Sequence, residues 1–377
     1  MENKIKNKPK VRFDGFVEEW EESKSIDLCS ISTGKSNTQD KIEDGQYPFY
    51  VRSATIERSN RYLFNEEAVL TVGDGVGTGK VYHYVNEKYD LHQRVYRMFD
   101  FNKVTGKYFY YFFSNNFQKR VRAMTAKTSV DSVRMEMISD MSIIYPNLIK
   151  EQICITDYFQ TIDQLIDQQQ QKHDKLRILK KAMLAKMFPK EGATTPEIRF
   201  KGFTEEWVEK SLGEVANRFD NLRIPIKAEK RVFGNTPYYG ANGIQGYVDG
   251  HTHNGEFILV AEDGANDLKN YPVQYVKGKI WVNNHAHVLQ VKKDIGNNLF
   301  LKYSISQTNI EPFLVGGGRA KLNANTMMNI DIQFPSIKEQ TLIGSYFQNL
   351  DHLINQHKEK IAKLKQLKKA CLNQMFV

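Results

Sequence analysis

An internal duplication is the feature that most constrains the fold of this chain of 377 residues. The segment PKVRFDGFVEEW at 9–20 returns as PEIRFKGFTEEW at 196–207, with eight of twelve positions identical. Residues 155–188 return as 343–376, with 18 of 34 positions identical. Between these blocks the similarity is weaker but stays in register. A repeat of this length predicts two structurally equivalent halves.

The order of the repeated blocks differs between the two halves. The second RFKGF segment follows directly on the first long helical block, whereas the first RFDGF segment stands at the N-terminus. If Val377 were joined to the N-terminal segment, the two halves would become equivalent. The sequence therefore predicts that the N-terminal segment packs near the end of the C-terminal helix, and that the chain has pseudo-twofold symmetry.

Apolar residues recur in alternating steps of three and four in the block that closes each half, which predicts two long coiled-coil helices. The seam of the first helix comprises Ile155, Phe159, Ile162, Ile166, Leu176 and Leu179, and that of the second comprises Ile343, Phe347, Leu350, Ile354, Ile361, Leu364 and Leu367. Gln169 and His357 fall on the same seams, where polar residues commonly fix the register. Equivalent helices in a symmetric chain are expected to lie antiparallel.

The repeated helical block of 34 residues corresponds to roughly 50 Å of α-helix. Dimeric DNA readers hold their modules ~34–36 Å apart, so the helices are expected to act as a ruler between two globular domains. Because the domains diverge in sequence, they are expected to read different half-sites. This pattern predicts an asymmetric, bipartite DNA target with an unread spacer.

Composition limits the class of protein. The net charge of +9 favours a polyanionic partner. The N-terminus MENKIKNKPK has no apolar core, and no run of 18 apolar residues exists, so neither a signal peptide nor a membrane span is predicted. Three widely spaced cysteines favour a reducing compartment without a disulfide framework. We therefore expect a cytoplasmic protein with no membrane partner.

The glycine-rich stretch TVGDGVGTGKVYH at 71–83 does not match a nucleotide-binding loop. With Gly79-Lys80 as the G-K pair of a Walker A motif, the first glycine would have to be Asp74 and the hydroxyl residue would be Val81. The pattern G-x-G-x-x-G also fails, and KVYHYV alternates as a strand rather than a helix. The stretch is therefore interpreted as a turn between strands.

The duplicated RF.GF.EEW segments, the P…KEQ lead into each long helix and the LKKA…MF helix ends resemble the specificity subunit of type I restriction–modification systems. The resemblance covers the whole chain, because the motif blocks occur in order and twice. It implies an α+β fold with two globular α/β target-recognition domains in pseudo-twofold tandem, separated and joined by two long antiparallel coiled-coil helices. The implied division is an N-terminal segment at 1–21, a first recognition domain at 22–148, a central helix and linker at 149–195, a second recognition domain at 196–337 and a C-terminal helix at 338–377.

The resemblance also implies a function. Specificity subunits are non-catalytic, read a split asymmetric sequence in double-stranded DNA, and dock two methyltransferase subunits and often two restriction subunits. No cofactor is expected on this chain, since S-adenosylmethionine, ATP and Mg²⁺ would be bound by the partner subunits. Two alternatives stay open: a coiled-coil scaffold that binds only protein, and a DNA-binding protein that acts alone.

No sequence motif indicates that this chain carries a catalytic site of its own. An amino-methyltransferase carries [DNS]-P-P-[YF], and the sequence has no Pro-Pro pair; a nuclease of the P-D type needs Pro-Asp, which is also absent. A zinc site from His251, His253, His285 and His287 was weighed, but no cysteine joins them and the first half has no counterpart. No metal is therefore expected.

Candidate DNA contacts fall in both halves. Strand alternation would place His92 and Arg94 on one face, and likewise His285 and His287, where they could reach base edges; a polar strand edge explains them equally well. Phosphate contacts are expected from two basic clusters at comparable places in the two halves, although a solvated surface is the simpler explanation for any single cation. The clusters supply Arg120, Arg122, Lys127, Arg319 and Lys321. Lys80, in the glycine-rich turn, is a separate candidate for a phosphate or base contact. Trp20 and Trp207, inside the repeated segments, are expected in the core or at a junction.

Overall fold

The computed structural model describes residues 8–75, 77–124, 132–190, 192–317 and 319–377. The chain divides into two compact units. Unit 1 comprises Met1–Gln169 and Lys360–Val377, and unit 2 comprises Gln170–Glu359. Each unit therefore contains parts of both long helices, which the sequence-based division places in segments of their own. Among the described residues, no helix is long and apolar enough to cross a membrane.

Unit 1 is built around a mixed sheet. Its described strands are β1 Trp20–Lys24, β2 Ser30–Thr33, β3 Tyr47–Tyr50, β4 Ile56–Ser59, β5 Phe64–Val72, β6 Tyr82–Leu91, β7 Val95–Phe99 and β8 Ser142–Pro146. Six of them form one sheet in the order β2-β7-β5-β6-β3-β4, while β1 pairs with β8. The β3–β6 pair is parallel and the other pairs are antiparallel. The central strand β5 is buried over its second half, consistent with the apolar run AVLTV.

The helices of unit 1 are α1 Ser25–Leu28, α2 Gly106–Met124 and α3 Met135–Ser139, with parts of α4 Ile149–Met187 and of α8 Ile337–Met375. Helix α2 buries Phe109, Phe113 and Phe117, whose four-residue spacing places them on one face. The N-terminal segment lies against the end of the chain, where the Val11 N–H donates to the Gln374 carbonyl at 3.0 Å.

Unit 2 repeats the sheet of unit 1. Its described strands are β9 Val208–Ser211, β10 Ala216–Arg218, β11 Thr236–Gly240, β12 Gly243–Val248, β13 His253–Ala261, β14 Val273–Val282, β15 Ala286–Val291, β16 Leu314–Val315, β17 Lys321–Leu322 and β18 Asp331–Phe334. The six-stranded sheet has the order β10-β15-β13-β14-β11-β12, which matches the order in unit 1 strand for strand. The β9–β18 pair likewise corresponds to β1–β8. The duplication in the sequence is thus a duplication of the fold.

The helices of unit 2 are α5 Leu212–Val215, α6 Asn298–Gln307 and α7 Ala324–Met328, with parts of α4 and of α8 Ile337–Met375. Asn297 caps α6, because its side-chain oxygen accepts from the N–H groups of Leu299 and Phe300 at 2.9 and 3.1 Å. Phe300 is fully buried and packs against Phe188 and Trp207 with ring centroids 5.6 Å away in both cases. The end of α4 is thereby fixed to the unit 2 core.

Within each unit, a segment of α4 packs antiparallel to a segment of α8. In unit 1, Lys368 donates to Asp163 at 2.5 Å, and the Cys371 sulfur lies 3.4 Å from the Tyr158 hydroxyl. The later residue of one helix thus meets the earlier residue of the other, so the two helices run in opposite directions. In unit 2, Lys180 donates to Asp351. A tyrosine also donates to each aspartate, Tyr111 to Asp163 at 2.9 Å and Tyr303 to Asp351 at 2.6 Å.

Two of the predicted seam residues do not belong to the seam. The other predicted positions are buried or half-buried, namely Ile155, Phe159, Ile162, Ile166, Leu176, Ile343, Phe347, Leu350, Ile354, Ile361 and Leu364. Leu179 and Leu367, however, are 43% and 47% exposed, so the prediction was wrong for both. In each helix the following residue, Lys180 or Lys368, faces the partner helix instead, because its ammonium group binds a partly buried aspartate.

The repeated KEQ motif attaches the start of each long helix to its own unit. Gln152 donates to the Pro146 carbonyl at 2.9 Å and accepts from the Thr105 N–H at 2.8 Å. Gln340 makes the same pair of bonds to the Pro335 carbonyl and the Asn297 N–H, at 2.8 and 3.0 Å. Both glutamines are buried, so these bonds satisfy polar groups that would otherwise be costly.

Candidate nucleic-acid interface

In each unit the central strand of the sheet leads into a turn that carries an aspartate. Strand β5 is followed by Gly73-Asp74-Gly75, and β13 by Glu262-Asp263-Gly264. Gly75 and Gly264 both have positive φ values, 85° and 69°, which glycine adopts without strain. Asp74 forms an isolated β-bridge with Ser132, and Asp263 forms one with Lys321. The two turns therefore have the same local geometry.

Asp74 lies between two exposed arginines of unit 1. Arg52 and Arg94 approach its carboxylate at 3.6 and 3.7 Å, and their side chains are 48% and 64% exposed. Asp74 and Arg94 line an open cleft of about 500 Å³ together with Gln93 and Arg134. The cleft is lined mainly by polar side chains, so it can present both hydrogen-bond donors and an acceptor to a ligand.

Asp263 contacts a histidine and an arginine in unit 2. The His285 ring nitrogen Nδ1 lies 2.5 Å from Asp263, and Arg319 approaches the other carboxylate oxygen at 3.0 Å. Lys321 pairs instead with the neighbouring Glu262 at 3.1 Å. Both Arg319 and Lys321 are well exposed. The same position of the fold thus carries two arginines in one unit and a histidine with an arginine in the other.

The strand assignment of the histidine pairs was wrong. Residues 92–94 form the turn between β6 and β7, and His285 lies in the turn between β14 and β15. The alternation expected for a strand therefore does not apply, and the partners have unequal exposure. His92 is buried, and its Nδ1 accepts from the Arg94 N–H at 3.0 Å. Burial lowers the pKa of His92, and the nearby Arg52 charge lowers it further.

His287 is buried and bound on both ring nitrogens. Its Nδ1 lies 2.6 Å from Asp220 and its Nε2 lies 2.8 Å from the Leu322 carbonyl. Burial raises the pKa of Asp220, but the contact with His287, the hydrogen bond from the Val288 N–H and the nearby Arg223 charge together outweigh burial and hold this pKa below its usual value. The side chain of His287 therefore links β15 to Asp220 and to the Leu322 carbonyl of β17, and it presents no ring nitrogen to solvent.

Asp220, Glu262 and His287 lie close enough to share a cation. Arg223 already donates to Glu262 at 2.7 Å and approaches Asp220 at 3.5 Å, while His287 binds Asp220. The local charges are thus balanced by protein groups, and this cluster is best described as an ion-pair network. Within the described part of the chain, the two H-x-H pairs do not form a common site with one another.

The two basic clusters do not occupy equivalent places. Arg120 and Arg122 lie at the end of α2, whereas Arg319 and Lys321 lie in a loop and in β17. Arg120 is half-buried and donates to the Met137 carbonyl at 2.9 Å, so it stabilises unit 1, while Arg122 is exposed. The prediction of comparable positions failed because sequence register was uncertain in this divergent region. Lys127 lies outside the described residues.

Lys80 is exposed at the end of the glycine-rich turn, where its N–H donates to the Gly77 carbonyl at 3.0 Å. The following strand β6 begins at Tyr82.

Asp74 and Asp263 were not among the candidate residues predicted from the sequence. Their repetition at a constant offset in VGDG and AEDG was the available signal, but an acidic residue is not expected in a surface chosen for its positive charge.

The chain is similar to known proteins both in sequence and in fold. The family model for the type I restriction modification DNA specificity domain matches residues 17–177 and 204–366. A putative type I restriction enzyme specificity subunit from Haemophilus influenzae is 45% identical over 167 residues, 44% of this chain and 43% of the relative. The specificity subunit of the type I restriction enzyme EcoDI from Escherichia coli is 25% identical over 284 residues, 70% of this chain and 62% of the relative. The matches thus span less than two thirds of each relative's length.

A solved structure matches the fold over nearly the whole chain. The crystal structure of the S subunit of a type I restriction–modification system from M. genitalium aligns with a TM-score of 0.79 at 16% identity. The alignment covers 98% of this chain and 99% of that one. At this identity the similarity demonstrates the fold, including two α/β domains and long helices.

Proposed function

Because the chain belongs to the family of type I restriction–modification DNA specificity domains and contains two of them, we propose that it reads DNA for such a system. Each unit contacts one half of an asymmetric, split target in double-stranded DNA. The chain is non-catalytic by itself and supplies sequence selectivity to a modification complex.

One observation carries this proposal: the same sheet occurs twice, with different side chains at the end of its central strand. Asp74 binds Arg52 and Arg94, whereas Asp263 binds His285 and Arg319. A duplicated scaffold with different functional groups suits a target whose two halves differ. A scaffold that binds only protein would give no reason for exposed cations at both places.

The helices have two further roles in the proposal. Helices α4 and α8, each of 39 residues, contribute to both units. They set the length of the unread spacer and dock two methyltransferase subunits, and restriction subunits where these exist. S-adenosylmethionine, ATP and Mg²⁺ are bound by those partner subunits. The proposed DNA contacts on this chain are exposed or half-exposed side chains that can donate hydrogen bonds, namely Lys80, Arg94, Arg122, His285, Arg319 and Lys321.

A domain exchange tests this assignment. Residues 22–145 are replaced by the corresponding domain of another specificity subunit, and the methylated sequence is determined in cells that also contain the methyltransferase. The proposal requires a change in one half of the target with the other half and the spacer retained. A change in both halves would refute independent reading by the two units. A chain with residues 22–145 replaced by their own sequence from a recoded gene is the matched control.

A further inference from the structure

We infer that Asp74 and Asp263 read DNA bases directly, each by accepting a hydrogen bond from the amino group of a cytosine. The adjacent arginines, Arg94 and Arg319, donate to the guanine of the same base pair. The inference rests on the proposed function and deepens it, because it assigns one C·G pair in each half-site to one acidic residue.

Asp74 and Asp263 occupy equivalent positions in the two units. Both aspartates follow the central strand of their sheet and precede a glycine of positive φ. Each also forms an isolated β-bridge, Asp74 with Ser132 and Asp263 with Lys321. Local backbone geometry is therefore shared, although the cationic partners differ. A feature that the fold retains twice, while its neighbours change, indicates a common task with a variable partner.

No hydrogen bond among the described atoms holds the Asp74 side chain in place. Its Oδ1 is buried without a hydrogen-bond partner, and its ion pairs at 3.6 and 3.7 Å exceed hydrogen-bond length. The acceptor offered to a base is therefore the other oxygen, Oδ2, on a side chain that is 29% exposed. Asp90 of the same unit shows the contrast, because it is fully buried and accepts from Ser36 and from the Leu91 N–H at 2.5 and 2.9 Å. Asp74 thus retains acceptor capacity that Asp90 has used.

Asp263 differs, because both of its carboxylate oxygens have partners. Oδ1 contacts His285 and Oδ2 contacts Arg319, and these two side chains are 35% and 61% exposed. Asp220 of the same unit accepts instead from the Val288 N–H at 2.8 Å and from buried His287. The partners of Asp263 are therefore side chains that can move toward a ligand without disturbing the backbone.

The negative charge of the two aspartates suits a base contact better than a backbone contact. A carboxylate repels the phosphate backbone, so an acidic residue in a DNA interface is useful where it meets a base edge. In the major groove cytosine presents the N4 amino donor, while guanine presents the O6 and N7 acceptors. An aspartate beside an arginine offers the complementary set, one acceptor next to a pair of donors. The open cleft beside Asp74 and Arg94 exposes this set to a partner.

The test compares four chains in cells that lack the original gene and contain the methyltransferase. They carry the wild-type sequence, D74A, D263A, or D140A as a matched control. Asp140 is 49% exposed and pairs only with exposed Lys24 among its recorded partners, so its change leaves the cleft intact. Modification-sensitive sequencing gives the methylated motif, and selection from a DNA library with randomised half-sites gives the base preferences of each purified complex.

The expected result is specific to one position. D74A removes the acceptor, lowers discrimination at a single C·G pair roughly tenfold, the effect of losing one good base contact, and leaves the other half-site unchanged. D263A does the same in the other half-site, and D140A retains every preference. If D74A and D263A keep the wild-type preferences at all positions, or if either broadens both halves, the inference is overturned. A D74A chain that fails to fold also overturns it, because the inference assigns the Asp74 side chain no structural role. If the wild-type chain itself yields no split motif, the proposed function fails instead.

Discussion

Arg199 and Glu339 form a two-point ion pair, in which the arginine Nε and Nη2 donate to the two carboxylate oxygens at 2.7 and 2.8 Å. Arg12 and Glu151 form the same pair in the other unit, at 2.6 and 2.8 Å. Each arginine belongs to an RF.GF segment and each glutamate to a KEQ motif. The hydrogen bond to Glu339 raises the pKa of Arg199. This pairing explains why two short motifs, distant in sequence, recur together.

Removing one partner of this pair should strongly destabilise unit 2. Glu339 is fully buried, so Glu339→Ala leaves the Arg199 charge in the interior and should lower the free energy of unfolding by about 3–5 kcal/mol. Urea denaturation measures the change. Glu229→Ala, at an exposed position, should alter stability by less than about 0.5 kcal/mol. Equal effects of the two substitutions would show that the ion pair does not stabilise the unit.

The two repeated tryptophans should respond differently to the same substitution. Trp20 Nε1 donates to Glu151 at 3.3 Å, whereas Trp207 Nε1 is buried without a hydrogen-bond partner among the described atoms. Trp20→Phe therefore loses a hydrogen bond that Trp207→Phe does not, and it should be the more destabilising by roughly 1 kcal/mol. Thermal unfolding of both variants decides the order, and the reverse order would contradict the assigned contacts.

Lys302 should destabilise the folded chain at neutral pH. Burial is the main cause that lowers the pKa of Lys302 from 10.5 to about 8. Below pH 8 both states carry the proton, so the cost of the buried charge is fully present. Between pH 8 and 10.5 the folded state has released the proton and the unfolded state retains it, so stability rises with pH. Lys302→Met should thus stabilise the chain by about 1–3 kcal/mol at pH 7, and by less at pH 10.

Lys180 provides the matched control for Lys302. Lys180 supplies a direct hydrogen bond to Asp351, while Lys302 approaches the same carboxylate only to 3.5 Å. Lys180→Met should therefore destabilise unit 2 at pH 7, where Lys302→Met stabilises it. Denaturant titrations at pH 7 and pH 10 supply all four free energies. A Lys302→Met chain that is less stable at pH 7, or a difference that does not shrink at pH 10, would contradict this assignment.

The helices offer a prediction about DNA geometry. Insertion of one heptad into each of α4 and α8 preserves the seam period. If the helices set the spacing, the methylated motif should keep both half-sites and gain unread base pairs between them. The control is a chain with the heptad in α4 alone, which should disrupt packing. An unchanged spacer in the doubly extended chain would refute the ruler role.

Much of the fold could be predicted because the repeat fixes it twice. The equal strand order in the two units follows from the constant offset of the motifs, even where the residues differ. The seam periodicity located the helices but misplaced Leu179 and Leu367, because the period gives no preference between a leucine and the lysine beside it. That choice depends on Asp351 and Asp163, which lie far away in sequence.

The site was less predictable for a related reason. His287 is withdrawn from solvent by Asp220 and by the Leu322 carbonyl, and neither partner is close to it in the sequence. The turns at 92–94 and at His285 follow strands whose pairing is set by the whole sheet. Asp74 and Asp263 were visible in the alignment of the halves, but their pairing with exposed cations required the fold.

The measurement that tests the central claim most directly is modification-sensitive sequencing of genomic DNA from cells with and without this gene. The account predicts that methylation at one split, asymmetric motif disappears when the gene is removed and returns when it is restored. Identical methylation in both strains, with the methyltransferase present and active, would contradict the assignment of this chain as a DNA specificity subunit.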